Sequence, residues 1–491
     1  MTERYLVYDI GTTGTKSTLV EDGQILRSHI TTYPTHQGAN GVMEQNVEDW
    51  IQAVRESTTK MGILANLDGI ILTGQMQNVI LLDANGHALR SVILYSDTRA
   101  HNEATEINEL LTSDTLQQIT GNQQDAGSLL AKMRWLAKHE PDTLNKTQHL
   151  VFGAADAIIA QLCGRFISDS TTASTTGLID IHSRQIIDTS FLAKVGLENY
   201  TALMPEIIVG GSQVGTVTEA ASAEWGLPVA IPIYLAPGDA GSATIGAGSG
   251  DVGAAYAYIG TSGWVAFTAT SPANPQRGVI TLAHPRNDHF IQVAPLMTAG
   301  GNLDWILSLF DDENYGTLIS SALDEKPSKL LYLPYLNGER SPFSDPFARG
   351  TFVGLTGQTS KQVMTRAVLE GVIYAYRHVL DILLPEGVSS LMVTGGGTRS
   401  TEWCQLFSDI IGLPIHISAD AENVGIRGAL QAVAVQRQQQ TSYSIEDLPI
   451  SQTLQPQPTF KTLYDNKYQI FRQLHITLQD TFSKLGQLEA T

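Results

Sequence analysis

The chain has 491 residues, of which 42% are hydrophobic and 16% charged. This composition excludes a disordered chain and supplies enough apolar side chains for a buried core. The 30 basic and 49 acidic residues give a net charge of −19, which argues against a nucleic-acid backbone or an anionic membrane as the main partner. At about 150 residues per domain, the length predicts roughly three domains, or two large ones.

The amino-terminal segment and the cysteine content favour a reducing compartment. No basic stretch followed by an apolar one opens the chain, so no signal peptide is predicted. Two cysteines, Cys163 and Cys404, cannot build a disulfide framework. The long uncharged stretch 252–276 is broken by Gly, Ser, Thr and Pro, which indicates strand–turn–strand and not a membrane helix. We therefore expect a cytoplasmic protein without a membrane partner.

The chain opens with a predicted β-hairpin. Tyr5–Asp9 is rich in bulky β-forming residues, Gly11–Thr15 has the composition of a turn, and Ser17–Val20 continues the strand pattern. A similar hairpin is predicted around a second tip, Gly260–Gly263. The five residues 10–14 match 259–263 at an offset of 260 − 11 = 249, about half the chain. The match is short, but its position at the start of each half makes an internal duplication worth proposing.

The remaining elements alternate between helices and strands. In chain order we predict a helix at Val47–Lys60, strands at Gly69–Thr73 and Val79–Asp83, a helix at Ser128–His139, a helix at Lys361–Leu384, a strand at Leu391–Thr394 and a helix at Asn466–Leu485. This alternation predicts an α/β protein. A proline-punctuated apolar stretch at Leu227–Pro237 places the domain boundary nearby, giving domains 1–243 and 244–440. The Gln- and Pro-rich tail 441–491 is predicted to be a linker followed by a surface helix.

The two hairpin tips are candidate phosphate loops. Residues 11–17 resemble a P-loop at first sight, but Lys16 does not directly follow the last glycine and the loop is too short. A Gly/Thr tip can still bind phosphate, because glycine exposes backbone N–H groups and threonine adds a hydroxyl donor. One such tip alone is more commonly an ordinary turn. Two of them, one in each half, favour two loops facing a shared nucleotide.

A second glycine pattern points away from a dehydrogenase. Gly248–Gly253 formally matches the dinucleotide-binding fingerprint. That fingerprint follows a strand and opens a helix, whereas here a strand follows it. Glycines at Gly300 and Gly395–Gly397 follow predicted strands and allow the close approach of a ligand, although flexible turns are the simpler interpretation.

Two aspartates are candidates for chemistry. Asp9 ends the first strand beside the first tip, where a carboxylate can hold Mg²⁺ for phosphoryl transfer. Asp239 is flanked by small residues in Gly238–Gly241, which suits a carboxylate that must meet a substrate hydroxyl. Turn or helix capping is the commoner role for each residue taken alone.

Together these motifs resemble the FGGY carbohydrate kinases, within the actin/hexokinase/Hsp70-like ATPase superfamily. The resemblance covers the chain to about residue 436, and its pieces occur in the expected order. They are Tyr8–Lys16, Gly74–Met76, Lys132–Trp135, Gly238–Gly241, Gly260–Gly263, Leu333–Arg340, Asp345–Gly350, Arg366–Gly371 and Gly395–Ser400. Within the family, the block 333–350 is most similar to xylulokinases.

The resemblance implies an α/β fold of two ribonuclease-H-like domains around a central cleft, with ATP and Mg²⁺ required. It implies Asp239 as the general base and Asp9 as the residue that places Mg²⁺. For the nucleotide it implies Thr13, Lys16, Gly260, Thr261, Gly300, Gly396 and Gly397. For the sugar it implies Gln75, Met76, Gln77 and Trp264 together with Asp239. It also allows a homodimer.

The expected activity is ATP-dependent phosphorylation of a small sugar, with D-xylulose favoured. Ribulose, gluconate or another polyol are the alternatives within the family, and a catalytically silent sugar-binding protein is the alternative outside the enzyme class. Xylulokinases usually carry Gly-Gln-Met-His-Gly, whereas this chain has Gln77 and Asn78 in the last two positions. Tyr95 also stands where a tryptophan is common. These departures concern the identity of the sugar and not the kinase chemistry.

Overall fold

The computed structural model describes residues 3–62, 64, 66–310, 315–385 and 387–488. Two large β-sheets with helices packed against them dominate the backbone. No helix within these ranges is both long enough and apolar enough to cross a membrane.

The first half of the chain contains thirteen strands among its described residues. They are Arg4–Ile10 (β1), Gly14–Glu21 (β2), Gln24–Thr32 (β3), His36–Gln37 (β4), Met43–Gln45 (β5), Gly69–Gly74 (β6), Ile80–Leu82 (β7), Val92–Ile93 (β8), His149–Val151 (β9), Ile167–Asp169 (β10), Glu206–Ile208 (β11), Ser212–Thr216 (β12) and Pro232–Leu235 (β13). The helices are Val47–Met61 (α1), His101–Leu110 (α2), Ser113–Thr120 (α3), Leu129–His139 (α4), Pro141–Lys146 (α5), Ala154–Cys163 (α6), Ser170–Ala173 (α7), Thr189–Ala193 (α8), Glu219–Trp225 (α9) and Asp239–Thr244 (α10).

The second half follows the same alternation. Its strands are Ala255–Ile259 (β14), Gly263–Ala269 (β15), Ile280–Ala283 (β16), Phe290–Leu296 (β17), Leu331–Leu333 (β18), Thr351–Val353 (β19), Leu391–Thr394 (β20), Ile415–Ser418 (β21) and Ile450–Leu454 (β22). Its helices are Gly301–Ser308 (α11), Tyr315–Asp324 (α12), Lys361–Leu383 (α13), Thr401–Ile411 (α14), Val424–Gln438 (α15) and Lys461–Gly486 (α16). Short segments of 3₁₀ helix occupy Ala39–Gly41, Glu198–Leu203, Pro275–Arg277, Gly396–Arg399, Ala421–Asn423 and Pro458–Phe460, and a π turn occupies Ile245–Ser249.

The elements that the sequence predicted with clear patterns are confirmed. The apolar stripe of α1 buries Trp50 and Val54, and the helix ends before Gly62, whose φ is 77°. The long helix α13 begins where Ser360 accepts a hydrogen bond from the backbone N–H of Val363 at 3.2 Å. An amphipathic stripe and a serine cap are therefore sufficient local signals for these two helices.

The two large sheets share one strand order. The first runs β12-β13-β6-β1-β2-β3 and the second runs β16-β17-β15-β14-β20-β21-β22. In each, three neighbouring strands are parallel: β1 with β6 and β6 with β13 in the first sheet, and β14 with β20 and β20 with β21 in the second. The outer pairs β12/β13 and β21/β22 are antiparallel in both. Apart from the additional edge strand β16, the two halves have the topology that an internal duplication predicts.

The carboxyl-terminal segment differs from the predicted linker and surface helix. Strand β22 pairs with β21 and completes the second sheet in the place that β12 occupies in the first. Helix α16 buries Tyr464, Tyr468 and Phe471 in the core of the second half. Neither feature could be predicted from the sequence, because four of the five residues of β22 are exposed and the pattern of α16 is largely polar.

A buried ionic network fastens α16 to α13. Glu370 accepts hydrogen bonds from the Lys467 amino group and from Arg366 Nε, the latter at 3.0 Å. Arg366 also donates to the hydroxyl of Tyr464 at 3.0 Å. All four side chains are buried, so removing one partner leaves a charged group without compensation.

We predict that Lys467→Met lowers the free energy of unfolding by about 3 kcal/mol, because it leaves a carboxylate oxygen of Glu370 buried without a partner. Chemical denaturation measures the change. Lys484→Met on the same helix is the control, since it removes only the exposed pair with Asp480 and should cause no resolvable loss. Equal unfolding midpoints for the two variants would contradict the assignment of the network.

Candidate active site

The three parallel strands of the first sheet end at one edge, where the predicted catalytic, metal-binding and most of the predicted sugar-binding residues lie. Asp9 lies near the end of β1, Gln75 to Gln77 follow the end of β6, and Asp239 follows β13 at the start of α10. Because β13, β6 and β1 are neighbours running in the same direction, their carboxyl ends meet at one edge, where open α/β sheets bind ligands. Two carboxylates and two amides therefore come together from distant parts of the sequence.

Asp239 has the properties of a base that works near neutral pH. Part of its side chain is accessible, but the surrounding protein raises the pKa to about 7. Desolvation is the main cause, and the negative charges of Asp9 and Asp169 add to it. The backbone N–H of Ala240 donates to Oδ1 at 2.7 Å and partly offsets the shift.

Asp9 faces the second half of the protein. Burial raises the pKa of its carboxyl group, and Lys16 opposes this shift. A Cβ atom on Gly425, in the first turn of α15, would lie 3.4 Å from Oδ2 of Asp9. The absence of a side chain at Gly425 keeps the space beside this carboxylate open.

Five of the seven residues predicted to bind nucleotide share one cavity of about 500 Å³ in the second half. They are Gly260, Thr261, Gly300, Gly396 and Gly397. The loops containing Gly260 and Gly300 touch directly, since the N–H of Gly300 donates to the carbonyl of Gly260 at 2.7 Å. A Cβ on Gly300 would lie 2.6 Å from that oxygen, so the approach requires glycine. Tyr258 and Trp403 supply aromatic walls.

The other two residues, Thr13 and Lys16, lie in the first hairpin and outside that cavity. Thr13 is exposed at the tip. The amino group of Lys16 donates to the carbonyl of Glu422 at 2.7 Å and to Oδ1 of Asn423 at 2.5 Å. In this structure Lys16 therefore bridges the two halves of the protein.

Three of the residues predicted to bind sugar are consecutive and occupy different environments. Gln75 is buried, and its amide donates to Gln45 at 3.0 Å while its Oε1 has no partner among the described residues. Met76 is buried against the turn at Gly238, where a Cβ would lie 2.4 Å from its Cγ. Gln77 has a φ of 60° and lines a second cavity, of about 620 Å³.

Trp264 lies on the second sheet, apart from the second cavity. Its ring stacks on Tyr258 at a centroid distance of 4.0 Å, and its Nε1 donates to the hydroxyl of Tyr256 at 2.9 Å. Burial raises the pKa of Tyr256 to about 12, and the charge of Asp239 adds to that shift. Trp264 is thus connected to the surroundings of Asp239 through one tyrosine.

The second cavity also contains residues that the sequence analysis did not assign. Asn122, Asp125 and Met297 line it, and Arg340 reaches it from the second half and pairs with Asp125. Glu339 accepts hydrogen bonds from the N–H groups of Met297 at 3.0 Å and Arg340 at 2.7 Å, which fixes that wall. The block 333–340 is one of the motifs that carry the family resemblance and so could have indicated this wall, whereas the loop at 122–125 has no recognisable motif.

A larger cavity, of about 810 Å³, lies between the β1–β3 region and α15. It contains none of the predicted site residues. Among the described residues no group of three or more His, Cys, Asp or Glu side chains is arranged to hold a metal ion. Asp9 offers a single carboxylate, and Mg²⁺ is commonly held in proteins by one or two carboxylates together with substrate phosphates.

Fold and site define a two-domain enzyme with a carboxylate edge on one side of a cleft and a glycine-lined cavity on the other. Two family models match the chain: the N-terminal domain of the FGGY family of carbohydrate kinases over residues 4–246, and its C-terminal domain over residues 255–436. The chain belongs to this family. It is a carbohydrate kinase with ATP as a substrate and the α/β fold of two ribonuclease-H-like domains.

Relatives with known names cover most of the chain. It is 29% identical over 484 residues to the xylulose kinase of Escherichia coli K12, covering 96% of this chain and 98% of that one. It is 28% identical to the gluconokinase of Bacillus subtilis, covering 84% and 83%. The solved structure of a "xyloylose kinase" from Brucella ovis matches with a TM-score of 0.89 at 27% identity, covering 98% of this chain and all of that one.

We predict that kcat/KM for the sugar rises with pH and levels off above a midpoint near 7. The carboxyl group of Asp239 has its pKa raised to about 7, so below that pH it is protonated and cannot accept a proton. A reaction that uses Asp239 as its base is therefore lost as the pH falls through 7. Initial rates at saturating ATP across the pH range give the profile. A midpoint near the ordinary 3.8 would contradict the prediction.

Proposed function

We propose that the protein is an ATP- and Mg²⁺-dependent kinase of D-xylulose in which Asp239 is the general base. The observation that carries the proposal is the placement of Asp239, with its raised pKa, beside Asp9 at the edge where three parallel strands end. Its relatives named xylulose kinase support the choice of sugar.

The reaction requires one proton transfer and one phosphoryl transfer. A sugar hydroxyl gives its proton to the carboxylate of Asp239 as its oxygen bonds to the γ-phosphorus, and ADP leaves. A base with a pKa near 7 is unprotonated in enough molecules at neutral pH and still basic enough to accept the proton. Because phosphoryl transfer is mainly positioning and charge stabilisation, the placement of the two substrates supplies the rest of the catalysis.

The nucleotide is assigned to the cavity of about 500 Å³, between the loops of Gly260–Thr261, Gly300 and Gly396–Gly397. Glycines have no side chain to keep a phosphate away from the backbone, and Thr261 adds an exposed hydroxyl. Asp9 would hold Mg²⁺ together with the phosphates. When bound, the cation offsets phosphate charge in a protein with a net charge of −19. Thr13 is proposed to contact phosphate, while Lys16 would act through its contacts with residues 422 and 423.

The sugar is assigned to the strand edge near Asp239 and to the adjoining cavity lined by Gln77. Amide groups satisfy sugar hydroxyls, and Trp264 offers an aromatic surface beside Tyr256. We keep the proposed division, with residues 1–243 binding the sugar and 244–440 binding the nucleotide, and we add β22 and α16 to the second domain because they complete its sheet and core. A cytoplasmic location and a homodimer also remain proposals, and light scattering of the purified chain tests the second.

A panel of sugars with Mg-ATP, followed as ADP release, tests the function. We expect D-xylulose to raise ADP release above the basal rate most strongly. Ribulose or gluconate as the preferred substrate would contradict the choice of sugar and leave the kinase standing. No response to any sugar would leave a silent sugar-binding protein as the alternative.

We predict that Asp239→Asn lowers sugar-dependent turnover by roughly 10²- to 10⁴-fold while nucleotide binding persists, because an amide cannot accept the proton. Steady-state kinetics and ADP titration measure the two properties. Asp480→Asn, a carboxylate change on the exposed face of α16, is the control. Near-normal turnover in Asp239→Asn would disprove the base assignment.

We predict that Gln77→His shifts preference across the panel toward xylulose, since histidine is the usual residue of xylulokinases at this position. The ratio of kcat/KM between xylulose and the other sugars is the measurement. Gln52→His, an exposed position on α1, is the control. An unchanged ratio in Gln77→His would mean that Gln77 does not determine specificity.

A further inference from the structure

The outer strand of the second sheet is held by side chains of the first domain. Strand β16 is an edge strand, bonded on one side to β17. On its open side, the N–H of Thr281 donates to Oδ1 of Asn122 at 2.8 Å, and Nδ2 of Asn122 donates to the carbonyl of Thr281 at 2.8 Å. One amide side chain thus replaces a missing strand partner.

Two residues further along β16, the same arrangement occurs with hydroxyl groups. The N–H of Ala283 donates to Oγ of Ser174 at 2.9 Å, and Oγ1 of Thr171 donates to the carbonyl of Ala283 at 2.8 Å. Ser174 in turn donates to the carbonyl of Thr171 at 2.6 Å. We call Asn122, Thr171 and Ser174 the edge clamp. The contacts at Ala283 are buried, so losing one leaves a backbone group without water or protein as a partner.

Thr171 also touches the turn that carries the base. It lies in α7, whose first N–H groups are capped by Asp169: its Oδ1 accepts from Thr171 at 2.9 Å and from Thr172 at 3.1 Å. A Cβ on Gly241, in α10, would lie 2.8 Å from the methyl carbon of Thr171. A Cβ on Gly238 would lie 2.5 Å from Oγ1 of Thr172. Helix α7 therefore packs against both glycines that flank Asp239.

We propose that Thr171 is a positioning residue that ties the base to the second domain through the edge clamp. The inference rests on the proposed function, because it assumes that Asp239 of the first domain must be held in register with the nucleotide cavity of the second. Thr171 is suited to this role because its hydroxyl bonds the second domain and its methyl contacts the helix that begins at Asp239. A misplacement of about 1 Å costs roughly 10²-fold in rate, so a small loss of register is measurable.

Thr171→Val and Thr171→Ser separate the two contacts. Valine keeps the methyl and removes the hydroxyl, so we expect kcat for sugar phosphorylation to fall at least about tenfold with smaller changes in KM. Serine keeps the hydroxyl that bonds β16 and removes only the methyl. Because α7 still packs against Gly238 through Thr172, we expect kcat to stay within about threefold of the wild type. Thr147→Val is the control, since it removes a buried hydroxyl that donates to Thr143 within the first domain at 2.9 Å and should leave kcat unchanged.

A second readout excludes a merely structural effect. If Thr171 acts through Asp239, Thr171→Val should cause little further loss in an Asp239→Asn background, whereas independent effects would multiply. Ser174→Ala releases the same strand without touching α10 and tests the clamp should Thr171→Val fail to fold. We expect it to lower kcat by at least about threefold.

Unchanged kcat in Thr171→Val, an equal loss in Thr171→Ser, multiplicative loss with Asp239→Asn, or unchanged kcat in Ser174→Ala would overturn the positioning role. In each of these cases the wild type still phosphorylates sugar, so the proposed function stands. A wild-type chain without sugar-dependent ADP release would overturn the proposed function, and the positioning role with it.

Discussion

The site depends on one constraint: three neighbouring parallel strands in each sheet must end at the same edge. In the first sheet β1, β6 and β13 bring Asp9, Gln75 and Asp239 together across more than two hundred residues of sequence. In the second sheet β14 and β20 are neighbours in the same parallel set, and they end immediately before Gly260 and Gly395, in two of the glycine loops. One topology used twice therefore gives a carboxylate edge and a nucleotide-side edge, with chemistry decided by the residues that follow each strand.

Electrostatics explains why the two edges differ. Carboxylates crowded at the first edge lose solvent and repel one another, which raises the pKa of Asp239 to about 7 and favours a base over a permanent anion. The second edge has glycines in these positions, which suits a ligand that is itself negative. Lys16, the cation nearest the first tip in sequence, is used between the halves, at residues 422 and 423. Because Lys16 is engaged there and the chain is acidic, a bound cation becomes more important for balancing the charge of the phosphates.

Local patterns were enough to predict much of the fold. Bulky β-forming residues around Gly11 and Gly260 identified both hairpins, and the stripe at Trp50 and Val54 identified α1. Strand β22 was missed because an exposed edge strand needs no apolar alternation, and its pairing with β21 depends on residues 32 or more positions away. The burial of α16 was missed because a lysine such as Lys467 is normally a surface residue. Its burial depends on the pair with Glu370, which is distant in the sequence.

The same division applies to the site. The glycine positions could be predicted because a close approach between backbone segments requires glycine, as at Gly300. Contacts between the halves have no such sequence signal, since Asn122 and Thr171 are ordinary polar residues whose partners are backbone atoms of β16. The contacts of Lys16 with residues 422 and 423 could not be predicted for the same reason.

A crystal structure with a non-hydrolysable ATP analogue and D-xylulose tests the two substrate assignments most directly. We expect the nucleotide between Gly260, Gly300 and Gly397, and a sugar hydroxyl within about 3 Å of the Asp239 carboxylate. A nucleotide in the cavity beside α15, or a sugar beyond hydrogen-bonding reach of Asp239, would contradict them.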